Sequence, residues 1–367
     1  MTSGAGISVG AGYQLEEVTP ATLADEWDDL AARCGSPYLT TAWLMPWTTA
    51  YAPRARWLVL RTGTGRLAAT GCFVPLAGGG LAAAANIETS HWDVAAVDST
   101  AREEMWRRVA TLAGSRLRLS VLPDGSSLDV LRRVLPAAGF RVLERPGPRN
   151  PLLQLPPTWD ELLATVSHNL RAQYRRKLRA LATTGSVRLR ITTGGPDFDR
   201  DLQTFLRLEA SGWKGRLGTA VLRDPAAETL YRGFAERAAG RGWLRLVLLE
   251  RHGQVLAGDL SCAFAGGTFM LKTAFDERLA GSSPGLVLRG EALRAAIEEG
   301  STFYDFTGGR DTYKLRWGSS VQPYVDVAAY RGLYAPVALY HRRLRPVLKS
   351  GWYRLRTLAA AALDSRR

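Results

Sequence analysis

The chain has 367 residues, 46% hydrophobic and 22% charged, with a mean hydropathy of -0.10, which excludes a disordered chain, a collagen and a membrane bundle and leaves room for two domains. No run of about 18 apolar residues occurs, and the opening MTSGAGISVGAGYQLEEV has neither the basic start nor the apolar core of an export signal, so a soluble cytoplasmic protein is expected. The formal charge of +14 makes an anionic partner a natural expectation.

In chain order, residues 1–12 are rich in Gly, Ala and Ser and are expected to be disordered. Strands are expected at Arg56–Arg61 and Leu67–Pro75, joined by a Gly-containing turn that suits a hairpin. A helix follows at Ala101–Ala113, a strand at Arg116–Leu122, a helix at Ser127–Ala138, and strands near Phe140–Leu143 and Leu152–Leu155. The Pro-rich stretch ERPGPRNPLLQLPP, ending at Pro157, is the expected boundary between halves. Thr158 and Glu161 have capping-box spacing, and Leu163, Val166, Leu170, Tyr174, Leu178 and Leu181 recur at steps of three and four, which predicts one helix over 158–184. The order continues strand (Val187–Ile191), helix (Phe198–Glu209), helix (Ala226–Ala239), then strands at Trp243–Glu250, Gln254–Phe264 and Thr268–Phe275. A helix at Pro284–Glu299 and strands at Phe303–Thr307 and Pro323–Arg331 complete a mostly antiparallel sheet with one crossover. Residues 335–367 read as a basic, loosely amphipathic helix.

Charge is concentrated in two places. Residues 168–190 carry Arg171, Arg175, Arg176, Lys177, Arg179, Arg188 and Arg190 with no acid, and residues 341–367 contribute an equal excess. Arg171, Arg175 and Arg179 fall at i, i+4 and i+8, one helix stripe that can track phosphates. Cys34, Cys72 and Cys262 form no C-x-x-C pair and are expected as reduced thiols. The four histidines show no paired spacing, so no metal site is expected.

The sharpest local feature is the strand TFMLKTAF and the helix that begins near Ser283 and Pro284. A Gly-containing loop feeding a helix start presents unpaired N–H groups and the positive end of the helix dipole, a seat for a pyrophosphate. The same loop, Gly281-Ser282-Ser283-Pro284-Gly285, fits the hydrolase pattern G-x-S-x-G, with Asp305 and His341 downstream. That elbow draws half of its oxyanion hole from the N–H after the nucleophile, and Pro284 has none, which sets a serine hydrolase aside.

The segments SHNLRAQYRRKLRAL, LEASGWKGRLGTAV, GDLSCAF, LKTAFDE, SSPGLVL and FYDFTGGRDTYKLRWG, in this order, resemble the GNAT-superfamily acyltransferases of the CelD-like, cellulose-biosynthesis-associated group, relatives of the Fem-type aminoacyl transferases. The resemblance implies an α/β (α+β) fold of two GNAT-like units, each a mixed, mostly antiparallel sheet flanked by helices, followed by the basic C-terminal helix. The units would be a degenerate one at 13–157 and an acyltransferase domain at 158–334. It implies an N-acyltransferase that moves an acyl group from acyl-CoA or an acyl carrier protein to a small-molecule or peptide amine by direct attack. A donor site is implied at Phe269, Lys272, Ala274, Gly281, Ser283, Gly285 and Leu286, with Arg175 near the phosphates. Pro284 departs from the usual loop, where a donor N–H would help. Lys314 is implied as the oxyanion donor, and Asp305 and Glu209 are the candidate bases, since amine acylation needs both functions. Trp213, Lys214, Tyr313 and Trp317 are expected around the substrate. Two alternatives stay open. One is a Fem-type transferase using aminoacyl-tRNA. The other is a non-catalytic scaffold that binds anionic polysaccharide or touches a membrane through its C-terminal helix.

Overall fold

The computed structural model describes residues 12–334 except 184 and 309–311. The expected disordered start, apart from Gly12, the expected C-terminal helix and His341 lie outside the described residues.

Alternating and continuous apolar runs become strands where expected. The first half runs β1 (Tyr13–Glu17), α1 (Ala24–Arg33), α2 (Thr41–Tyr51), β2 (Arg56–Thr62), β3 (Leu67–Pro75), β4 (Leu81–Ala83), β5 (Ala95–Ala96), α3 (Ser99–Leu112), β6 (Arg116–Pro123), α4 (Ser126–Ala137) and β7 (Arg141–Gln154). The second runs α5 (Trp159–Thr165), α6 (His168–Thr183), β8 (Val187–Thr192), α7 (Phe198–Ser211), α8 (Trp213–Arg216), α9 (Pro225–Gly240), β9 (Leu244–Arg251), β10 (Gln254–Phe264), β11 (Gly267–Phe275), α10 (Pro284–Glu298), β12 (Phe303–Asp305), α11 (Thr312–Leu315) and β13 (Ser320–Tyr330). The hairpin of β2 and β3 closes as expected, with Thr62 Oγ1 accepting from the Arg66 N–H. No described helix is long and apolar enough to cross a membrane.

One sheet of 13 strands takes the order β1-β2-β3-β4-β6-β13-β7-β12-β11-β10-β9-β8, with β5 paired to β3. The sheet does not break at Pro157. β13, grouped with the second half by sequence, lies between β6 and β7 of the first, antiparallel to both. The Pro-rich stretch is a correction to the two short strands expected there: it forms the single 14-residue strand β7. Its prolines are tolerated because β7 meets β12 only through Leu152–Gln154, and its pairing with β13 shifts register between Pro323 and Val325.

The helix expected over 158–184 is two helices. Thr158 caps α5 by accepting from the Glu161 N–H at 3.3 Å, but Val166 is extended, and Ser167 Oγ then accepts from Leu170 N–H to start α6. Apolar spacing carries across the break because both helices pack into the same cluster around Trp317 and Tyr304. A second core joins the halves: Trp43 of α2 meets Tyr231 and Phe234 of α9 edge-on at 5.9 and 5.3 Å. Gly233 lets these helices approach, since a Cβ there would lie 2.8 Å from Pro46.

Candidate active site

β11 pairs in parallel with β12 only over Gly267–Phe269 against Phe303–Asp305. Beyond that, Met270–Phe275 keeps only β10 as a strand partner among the described residues, while its Met270 and Thr273 carbonyls accept from Thr307 Oγ1 and Lys214 Nζ. A cleft of about 700 Å³ opens where the two strands part. Its walls are β11 beyond Phe269, the start of α10, the turn after β12, the 208–214 segment and, from the first half, Tyr38, Ile87, Glu88 and Ser90.

At the head of α10, Ser283 has φ 54° and ψ 51°, left-handed for a residue with a side chain, and its hydroxyl caps no helix N–H. It therefore stands at the N-cap position of α10 without a capping bond. Pro284 occupies the first helical position. Ser283, Gly285 and Leu286 line the cleft, as do Lys272 and Ala274 of β11. Three residues of the expected donor site do not line the cleft. Phe269 is core, edge-on to Phe303 at 5.5 Å, because it belongs to the paired part of β11. Gly281 is exposed outside the cleft, its carbonyl accepting from Lys177. Arg175 is exposed on α6.

Lys314 borders the cleft yet is only 5% exposed. Its Nζ donates to the carbonyls of Thr307, at 2.9 Å, and Gly308. Asp305 lies behind this turn, accepting from the Thr307 N–H at 2.7 Å. Burial pushes its carboxyl up to about 6, against the pull of the Thr307 N–H and the Lys314 charge. Thr307 itself has φ 46°, a strained turn that these two side chains hold. Burial also pushes the Tyr38 phenol up, with the Ser90 and Thr307 hydroxyls beside it.

Glu209 does not face the cleft as a free base. Its side chain is fully enclosed, Oε1 accepting from Lys214 Nζ at 3.0 Å and Oε2 from Val221 N–H at 2.9 Å. Lys214 donates in turn to the Thr273 carbonyl at 2.9 Å, tying this segment to β11. Trp213 stands half exposed at the cleft and Tyr313 is 40% exposed, whereas Trp317 is buried, tilted against Trp159.

Sequence reasoning missed the contribution of the first half and one buried pair. Glu88 Oε2 accepts from Lys272 Nζ at 2.8 Å and from the Tyr231 hydroxyl at 2.7 Å, so Lys272 is engaged by a carboxylate. Arg289 of α10 is 2% exposed and pairs with Asp259 of β10 at 2.8 Å, also donating to Tyr304 Oη. The signal for this pair was present: an Arg inside the apolar run LVLRGEAL and an Asp inside LAGDLSCAF each need a buried partner. Glu88 had no local signal, because its partners are more than 140 positions away.

The three cysteines are free, and none lines the cleft. Among the described residues no group of three or more His, Cys, Asp or Glu is placed to hold a metal ion.

Comparison with known proteins matches residues 168–315 to the family model described as an acetyltransferase (GNAT) domain. No curated protein matches the chain. Among solved structures, FemX is similar at 14% identity with a TM-score of 0.63, over 90% of this chain and 99% of its own. A conserved protein of unknown function from Bacteroides thetaiotaomicron is similar at 15% identity with a TM-score of 0.59, over 86% of this chain and 99% of its own. The C-terminal DUF2156 domain of a putative lysylphosphatidylglycerol synthetase from Agrobacterium fabrum follows at 14% identity and a TM-score of 0.55, over 88% and 95%. At these identities the likeness is one of fold. Residues His168–Leu315 thus match the GNAT acetyltransferase domain model, within a larger fold similar to that of FemX.

Proposed function

We propose that the chain is a cytoplasmic N-acyltransferase of the CelD-like group, which moves an acyl group from a thioester donor, acyl-CoA or an acyl carrier protein, to an amine. The carrying observation is the parting of β11 from β12 above the cleft, which leaves β11 with no second strand along the edge proposed to receive an extended donor arm. The start of α10, with Ser283, Gly285 and Leu286, suits the donor phosphates through its N–H groups and dipole, although Pro284 removes one donor. The amine attacks the acyl carbon directly, forming the C–N bond and breaking the C–S bond. Its ammonium proton passes to a base and the thiolate leaves. Lys314 is assigned to the developing oxyanion. Asp305 holds the Thr307 turn against which Lys314 is placed, and Glu209 braces Lys214. Trp213 and Tyr313 face the substrate, with Trp317 as the wall behind.

The test is thiol release from acetyl- and longer acyl-CoA in the presence of small amines. Lys314→Met should lower kcat about a hundredfold with donor affinity retained, as expected for loss of one oxyanion donor. Near-wild-type turnover overturns the assignment of Lys314.

One observation favours a second reading, an aminoacyl-tRNA donor. Arg175, Arg176 and Arg179 are exposed on α6, and no described carboxylate pairs with them. If they meet tRNA, binding involving about six phosphates would fall about 10³-fold between about 50 and 200 mM salt. Charge reversal at Arg171, Arg175 and Arg179 would then flatten that dependence. The small donor is preferred because no aromatic-rich RNA-reading motif accompanies the arginines.

A further inference from the structure

Three glutamates border the cleft: Glu88, Glu209 and Glu277. Glu209 is enclosed and holds backbone and Lys214. Glu277, at the start of the turn leading into α10, has one oxygen on the Trp213 N–H and the other on Arg216 at 2.7 Å. Glu88 differs. Both of its bonds fall on Oε2, its side chain is 17% exposed, and Oε1 accepts from no described residue.

The loop that carries Glu88 is built to stay in place. Asn86 Oδ1 accepts from the Glu88 N–H and from Trp47 Nε1, both at 3.0 Å, and the Asn86 N–H donates to Thr89 Oγ1. Ser90 closes the far end, its carbonyl accepting from Asn150 Nδ2 at 3.0 Å and its Oγ from the Gly308 N–H at 3.3 Å. The loop thus spans from α2 of the first half to the turn that holds Lys314. Beside Glu88 it presents Ile87 to the cleft, 96% exposed, and Trp213 stands half exposed on the cleft as well. An unbuttressed isoleucine at a cleft mouth is apolar surface without a partner.

We propose that Asn86–Ser90 is the acceptor subsite, in which Glu88 Oε1 takes the ammonium of a primary amine carried on an apolar stem, of the lysine side-chain type, and Ile87 and Trp213 flank that stem. The inference rests on the acyltransferase reading, and it makes the first half a part of the site. Lys272 and Tyr231 fix the carboxylate by occupying its other oxygen. A charge-assisted bond to a partly enclosed carboxylate favours the amine over its uncharged isostere.

Binding without any donor separates this inference from the reaction itself. The whole chain is titrated calorimetrically with Nα-acetyl-lysine methylamide, its norleucine counterpart and glucosamine. The lysine derivative should bind, at least tenfold more tightly than the norleucine one, and Glu88→Gln should weaken it at least tenfold. Glu88→Asp, which keeps the charge but withdraws it by one methylene, should weaken it less and serves if Glu88→Gln fails to fold by circular dichroism. Absence of binding, or equal affinity in wild type and Glu88→Gln, overturns the subsite. Tighter binding of glucosamine than of the lysine derivative overturns the apolar stem. Failure of thiol release alongside Glu88-dependent binding counts against the donor assignment and leaves the subsite standing.

Discussion

Asp305 shows how one carboxyl couples stability to pH. Burial raises it from 3.8 to about 6, so between those values it is protonated in the folded chain and ionised in the unfolded one. Folding takes up a proton in that window, and stability falls as pH rises through it. A rise of that size bounds the effect at about 3 kcal/mol. Asp305→Asn keeps an oxygen for the Thr307 N–H and removes the titration, so its urea midpoint should change less than that of wild type between pH 4 and pH 7. Equal slopes would assign the pH dependence to other groups. At this scale the short motifs pointed to the right region: Lys314, Ser283, Gly285, Lys272 and Trp213 all reach the cleft, while Phe269 and Gly281 from the same motifs do not. They were uninformative for orientation. Glu209 is a candidate base by sequence, yet its carboxylate is taken up by the Val221 N–H and Lys214. Periodicity says which side of a helix a residue is on, not what arrives from a distant segment to meet it.

Among the elements, α10 and β11 carry the proposed donor. A Cβ at Gly285 would lie 3.5 Å from the Phe275 ring, an ordinary contact, so a side chain fits there without forcing the backbone. Gly285→Asp should then leave the fold intact and act through charge, placing a carboxylate where a phosphate is expected. The donor KM should rise at least tenfold and the acceptor KM stay within twofold. Parallel rises in both would point to a folding defect. Elements with strong local signals were legible nearly to the residue: β10 spans Gln254–Phe264, as expected, and α10 begins at Pro284. Elements dominated by tertiary context were not. β7 holds three prolines that read as a linker, and it is a strand because its outer edge is unpaired over most of its length. The α5–α6 break was hidden because Ser167 restarts the helix in phase with the apolar stripe.

For the whole molecule, the placement of β13 decides what can fold alone. β6 and β7 pair with β13 over most of their length and contact each other through it. A fragment ending at Pro157 would bare both edges, and the Trp43 cluster would lose Tyr231 and Phe234. Such a fragment should lack a cooperative urea transition, whereas the whole chain should unfold with fluorescence and circular dichroism coincident. A cooperative transition in the fragment would show the first half to be autonomous. The same arrangement bears on synthesis at the ribosome. The roughly 165 residues between Gln154 and Ser320 take about 8 to 33 s to translate at about 5–20 residues per second. Throughout that interval the nascent first half lacks the strand that joins β6 to β7, and both sequences stay open to pairing with other extended peptide. A chaperone that shields strand edges therefore has its task here early, on a chain less than half made, and the task ends when the chain's own β13 arrives.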